Sequence, residues 1–192
     1  MRHNRSWECL GSKEIFKATD GKIVYINLYQ DKVKTPKGNV ITYTKYYASD
    51  AAIIVPFLDK ERLVMIRQYR YPVDKVLLEF PAGHIEEGED PKMAAARELE
   101  EETGYKAKRI DYIYKYHPSV NRAKQTVHVF CASGLIWKKG ATNHDDGEDI
   151  NTEIVTIQSL QQLICRGEIE CAGTLISYLL CCTGMKKIKE DV

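Results

Sequence analysis

Apolar and polar residues alternate over residues 22–29, with Ile23 and Tyr25 among the apolar positions, and a period of two predicts a strand half-buried in a sheet. Asp20-Gly21 and Lys37-Gly38 read as turns. Residues 39–47 are rich in Val, Ile, Thr and Tyr, which suit a pleated surface. Short strands over residues 1–47 therefore predict a small N-terminal antiparallel sheet, too small for a persuasive core of its own.

From residue 48 onward the pattern changes. Residues 51–58 are almost continuously apolar, as in a central strand covered on both faces. Residues 62–69 and 76–80 follow as interior strands. Asp90-Pro91 then opens a helix predicted over residues 91–103, since Asp caps orphan N–H groups and Pro tolerates the first helical position. Gly104 is placed to end it in a left-handed conformation. Strands are expected near residues 109–116, 126–132 and 153–157, and helices over 159–165 and 172–182, the last with an apolar stripe through Leu175, Ile176, Leu179 and Leu180. Residues 138–151 form a polar, acidic connection of 14 residues, long enough to suggest a functional loop. The expected class is α+β, with units at 1–47 and 48–192.

Composition narrows the function only a little. The chain has 192 residues, enough for one substantial core, and is 44% apolar and 29% charged. Twenty-eight Lys and Arg against 27 Asp and Glu leave a formal charge of +1, so no global field recommends bulk nucleic acid or a membrane. Six cysteines without CxxC spacing read as reduced thiols. The N-terminus is a poor secretory signal, and no apolar window is long enough to span a bilayer. A cytoplasmic protein is the expectation.

The chemistry concentrates on the helix over 91–103. Between Glu89 and Gly104, six acidic residues face two basic ones, a local charge of −4. Glu98, Glu101 and Glu102 share one helical face, and Glu98 with Glu102 forms a repulsive i, i+4 pair. Glu101 and Glu102 also lie near the helix C-terminus, which disfavours anions. One reading is a solvated acidic face relieved by Arg97 against Glu101. The other is a cation site, for which hard oxygen ligands favour Mg²⁺, with Mn²⁺ as the alternative, over zinc. Gly83, Gly88 and Glu89 precede the helix in a loop able to bring a further carboxylate to the same edge.

Gly83, Glu89, Arg97, Glu98, Leu99, Glu101, Glu102, Gly104 and Tyr105 stand at the intervals GX5EX7REUXEEXGU, and this pattern resembles the Nudix hydrolase signature at all nine specified positions. Arg67-Gln68-Tyr69-Arg70 and Leu78-Glu79-Phe80-Pro81-Ala82-Gly83 further resemble the ADP-ribose pyrophosphatase-like branch. The resemblance implies an α/β/α sandwich with a mixed sheet. It also implies hydrolysis of the diphosphate bond of ADP-ribose or a related nucleoside diphosphate sugar, giving AMP and ribose 5-phosphate from ADP-ribose. GDP-mannose or another nucleoside diphosphate sugar is the alternative substrate, and a noncatalytic nucleotide-sugar sensor the alternative role.

By the same resemblance, Glu98, Glu101 and Glu102 with the main chain of Ala82 would hold two or three Mg²⁺ ions. Arg97 would hold loop to helix by pairing with carboxylates, while Gly83, Gly88, Glu89 and Gly104 shape the motif. Arg67, Arg70 and Glu79 would meet the substrate, with carboxylate pairing as the competing role for either arginine. Trp7 resembles a base-stacking residue at a dimer interface, or else covers the edge of the N-terminal sheet. Pro118 agrees with the branch, although His117-Pro118-Ser119 lacks the glycine expected there, which weakens the preference for ADP-ribose. Glu148 is the leading general base and Glu153 the second, against readings as a solvated acid and a loop-orienting residue. A homodimer is implied, with each N-terminal region completing the other subunit's site.

Overall fold

The computed structural model describes residues 7–138, 140, 142 and 149–183. The N-terminal sheet is built on β1 (Glu8–Asp20), β2 (Ile23–Lys34) and β3 (Val40–Tyr47), antiparallel in that order. Its turns use Gly21 and Gly38 at φ +50° and +88°, conformations that glycine reaches without a Cβ penalty. The strands are longer than the short ones the alternation suggests. Register shifts between Cys9 and Gly11, Glu14 and Phe16, and Ala18 and Thr19 interrupt the period of two and hide β1 from pattern reading.

Two further sheets follow. β4 (Ala51–Pro56) is flanked by β7 (Ala82–His84) and by β10 (Val127–Trp137), and β8 (Tyr105–Tyr116) forms the edge, giving the order β7-β4-β10-β8. β4 and β10 are parallel and the other pairs antiparallel, so the sheet is mixed. The third sheet is β11 (Ile150–Thr156), β5 (Arg62–Arg70) and β6 (Lys75–Glu79). A two-residue strand, β9 (Ala123–Lys124), leaves the β8–β10 connection to pair in parallel with β3.

The continuous apolar run of β4 is explained by its two covered faces. Ile53 and Val55 enter a core with Leu63, Met65, Phe80 and Tyr178, whereas Ala52 and Ile54 enter another with Ala95, Leu99 and Phe130. α1 (Pro91–Thr103) supplies the second core. α2 (Ile157–Cys165) and α3 (Ala172–Cys182) contribute Leu160 and Tyr178 to the first.

Asp90 caps α1 by accepting from the N–H groups of Lys92 at 2.8 Å and Met93 at 3.3 Å, and Gly104 closes it at φ +73°. β8 begins at Tyr105, immediately after this cap and ahead of the position that patterning suggests. Lys106 and Lys108 make its first residues look like loop, but these are the charges expected on an exposed edge strand.

One carboxylate of the N-terminal sheet is buried and paired with a half-buried lysine. Asp31 accepts from Ser12 Oγ at 2.6 Å and pairs with Lys45, whose hydrogen bond, followed by that of Ser12, holds the Asp31 carboxyl below its ordinary value of 3.8. A carboxylate with a lowered folded-state pKa contributes stability above its unfolded pKa and loses it as pH falls through the folded value. Wild type should therefore exceed Asp31→Asn in chemical denaturation near neutrality, with the gap closing as pH drops below 3.8. A gap that stays constant into acid would show that the pair does not carry this stability.

Candidate active site

The β6–β7 connection and α1 bring the motif residues to one cleft of about 530 Å³. Its acidic wall is Glu98, Glu101 and Glu102, opposite a strand wall of Ala82, Gly83 and His84, with Arg70 and Arg97 also lining it. Glu102 is almost fully buried and accepts from the Ala82 N–H at 2.9 Å, which ties the helix to β7. Glu98 lies so closely over Gly83 that a β-carbon there would overlap its carboxylate. Gly83 is thus required for close approach, and its φ lies outside the left-handed range.

Arg97 organises the acids. Its Nε and Nη2 donate to the two oxygens of Glu89, both at 3.1 Å, and Nη2 also donates to the His84 carbonyl at 3.1 Å. Nη1 donates to Glu98 at 2.7 Å and Glu101 at 3.0 Å. The Glu89 bonds chiefly raise the guanidinium's pKa against the opposing effect of burial, and Glu98 and Glu101 add to the rise. Burial pushes the Glu89 carboxyl up, but hydrogen bonds from Arg97 and the Glu86 N–H outweigh it and leave the pKa lowered. Burial, reinforced by Arg70, depresses the His84 pKa.

Arg67 and Arg70 of β5 are both paired with carboxylates. Arg70 forms a fork with the buried Glu79, its Nη2 donating at 2.7 Å and its Nε at 3.2 Å to the same oxygen. Arg67 Nε donates to Glu153 at 2.5 Å, and this pair lies on the exposed surface apart from the cleft lining. Trp7 stands edge-on to Tyr43 with ring centroids 5.7 Å apart, also away from that lining. Pro118 is exposed in the β8–β9 connection. Glu148 lies outside the described residues.

The cleft also takes in residues that local patterning did not single out. Ile23 and Tyr25 reach it from β2, and His84 and Glu86 from the segment before α1. Lys22 pairs with Glu86 at 3.3 Å, joining the β1–β2 turn to this segment. For Tyr25 the available signal was its place in the alternation of residues 22–29. His84 stands at no diagnostic metal-ligand spacing in the sequence.

Among the described residues, no group of three or more His, Cys, Asp and Glu is gathered as a ready metal cluster. The reason is visible in the bonding, because Arg97 holds Glu98 and Glu101 while Glu102 bonds to Ala82. The donor set nevertheless fits a hard divalent cation, with carboxylates along one helical face and the space left by Gly83 admitting one of them.

A family model for the NUDIX domain matches residues 48–169, and the chain belongs to the Nudix family. It is a Nudix hydrolase of the ADP-ribose pyrophosphatase-like branch. Its relatives include an ADP-ribose pyrophosphatase of Bacillus subtilis, 33% identical over 172 residues, covering 88% of this chain and 90% of that one. A methanol dehydrogenase activator of Bacillus methanolicus is 32% identical over 152 residues, covering 79% and 82%. The solved structure of an ADP compounds hydrolase shares the fold, with a TM-score of 0.78 over 91% of both chains at 20% identity.

Gly83→Ala should push the Glu98 carboxylate aside without straining the backbone. The expected result is Mn²⁺ affinity lowered about 10- to 100-fold, read by electron paramagnetic resonance, with a nearly unchanged Tm. Wild-type Mn²⁺ affinity in this variant would rule out a ligand role for the displaced carboxylate.

Proposed function

We propose that this chain hydrolyses the diphosphate bond of ADP-ribose or a related nucleoside diphosphate sugar, using Mg²⁺ or Mn²⁺, to give AMP and ribose 5-phosphate from ADP-ribose. The observation that carries this reading is the convergence of Glu98, Glu101 and Glu102 on one cleft beside Ala82 and Gly83. Similarity to the Bacillus subtilis ADP-ribose pyrophosphatase over most of both chains supports the substrate class.

In this reading, Glu98, Glu101 and Glu102 with the Ala82 carbonyl hold two or three divalent ions. Such ions, when bound, offset diphosphate charge and lower the pKa of the attacking water. Arg97 keeps its Nε and Nη2 on Glu89 and the His84 carbonyl, so the loop and helix stay joined while Glu98 and Glu101 turn toward the cleft. Arg70, already oriented by Glu79, offers a remaining face to a phosphate oxygen. Glu148 is the proposed base that takes the water's proton, with Glu153 in reserve, and Arg67 and Pro118 approach the substrate from outside the described cleft. Trp7 stacks on the nucleobase.

The N-terminal sheet is proposed to pair two subunits. Leu10, Ile15, Phe16, Val40 and Ile41 are exposed on it, an apolar surface that a homodimer would cover. Nothing in the cleft calls for a membrane or bulk nucleic acid, and among the described residues no helix is long and apolar enough to cross a bilayer. A cytoplasmic location is proposed.

Similarity to the methanol dehydrogenase activator favours a second reading, in which the same cleft serves activation of a dehydrogenase. A panel of ADP-ribose, ADP-glucose and GDP-mannose with Mg²⁺, resolved by product mass, decides the main one. AMP from ADP-ribose is expected, whereas turnover of GDP-mannose alone would move the assignment to that sugar. No turnover, with stimulation of a dehydrogenase, would favour the second reading. Glu102→Gln retains an oxygen for the Ala82 N–H but loses the charge. It should lower kcat on the order of 10²-fold while Tm is nearly unchanged; near-normal turnover would remove Glu102 from the metal site.

A further inference from the structure

One side chain in the cleft has hydrogen-bonding capacity that the fold leaves unused. His84 ends β7, directly after the glycine that admits Glu98. Its main chain is fixed, because its carbonyl accepts from Arg97. Its half-buried ring lines the cleft and stands edge-on to Tyr25, with centroids 5.8 Å apart and planes at 79°. Among the described residues, neither ring nitrogen has a hydrogen-bond partner. The other described histidines differ, since His117 Nδ1 lies 2.9 Å from the Gln125 carbonyl and His128 faces Asp50 at 3.9 Å.

An imidazole with one N–H and one bare nitrogen matches a hydroxyl, which can accept and donate at once. A phosphate oxygen asks mainly for donors and is better served by the neighbouring Arg70. Tyr25 restrains the ring on one side and the Arg97 tether holds its backbone, so the unused nitrogens are presented with little freedom to lose.

We propose that His84 is a substrate-contact residue that hydrogen-bonds a sugar hydroxyl and thereby selects nucleoside diphosphates bearing an intact sugar. This inference rests on the nucleoside diphosphate sugar reading above. The hydroxyl can belong to the nucleoside ribose or to the sugar beyond the diphosphate, and the test separates them.

Steady-state kinetics of wild type, His84→Leu and His84→Asn would be compared on three Mg²⁺-loaded substrates: ADP-ribose, the methyl ester of ADP, and the methyl ester of 2′,3′-dideoxyadenosine diphosphate. His84→Leu should raise KM for ADP-ribose about 3- to 10-fold with little change in kcat, as expected for one lost hydrogen bond. A rise confined to ADP-ribose places the contact on the distal sugar. An equal rise for ADP methyl ester, absent with the dideoxy compound, places it on the nucleoside ribose. His84→Asn, which keeps a donor and an acceptor, should recover part of the loss, and Mn²⁺ affinity should be unchanged in both variants. The inference is overturned if KM for ADP-ribose stays at the wild-type value, if it rises equally for the dideoxy ester, or if Mn²⁺ binding falls in parallel. Wild type that cleaves none of the three would defeat the underlying substrate assignment, a result distinct from an active wild type matched by His84→Leu.

Discussion

Arg97 resolves a conflict that the acidic helix creates for itself. Glu98, Glu101 and Glu102 repel one another on one face, and the helix C-terminus adds a further unfavourable field. Five hydrogen bonds from one guanidinium offset this by drawing in Glu89 from the preceding loop, the His84 carbonyl from β7, and Glu98 and Glu101 from α1. A planar fork can do this where an ammonium cannot, because its donors point in fixed and separate directions. Strand, loop and helix are thereby held in one relative position around the cleft.

The same economy governs the layers beneath. β4 places alternate residues in two cores, and its register with β7 sets Ala82 and Gly83 beneath α1. Leu99 is fully buried in one of those cores, so the turn of helix carrying the acids cannot rotate without removing it. Burial of Leu99 thus fixes the rotation of α1 that turns Glu98 and Glu101 to the cleft and buries Glu102 beside Ala82.

Local signals were sufficient wherever one segment carried its own explanation. Asp90, Pro91 and Gly104 marked both ends of α1, and the unbroken apolar run of residues 51–58 marked a strand with two covered faces. The same signals failed where structure depends on a distant partner. β1 hides behind three register shifts, and the start of β8 behind lysines whose extended backbone is set by pairing with β10, where Gly134 bends to φ +67°. At the site, the spacing of the acids was legible because a helix converts spacing into direction. The pairing of Arg70 with Glu79 and Arg67 with Glu153 requires sheet register, and the meeting of Tyr25 with His84 requires one sheet to pack beside another, so none of these could be read from spacing alone.

The parallel pairing of β9 with β3 has a practical consequence for anyone wishing to isolate the hydrolase portion. A fragment cut to the residues matched by the family model would lose the β3–β9 pairing and with it ties to the β8–β10 connection that include Tyr43 Oη to the Asn121 carbonyl, the Arg122 side chain to the Thr44 carbonyl, and the Tyr46 N–H to the Arg122 carbonyl. Gln125 and Thr126 would keep their bonds to Ser49 and Asp50, so the loop would remain anchored at one end and be released at the other. The N-terminal sheet is therefore a brace for its neighbour, and a minimal hydrolase has to be shortened from somewhere else.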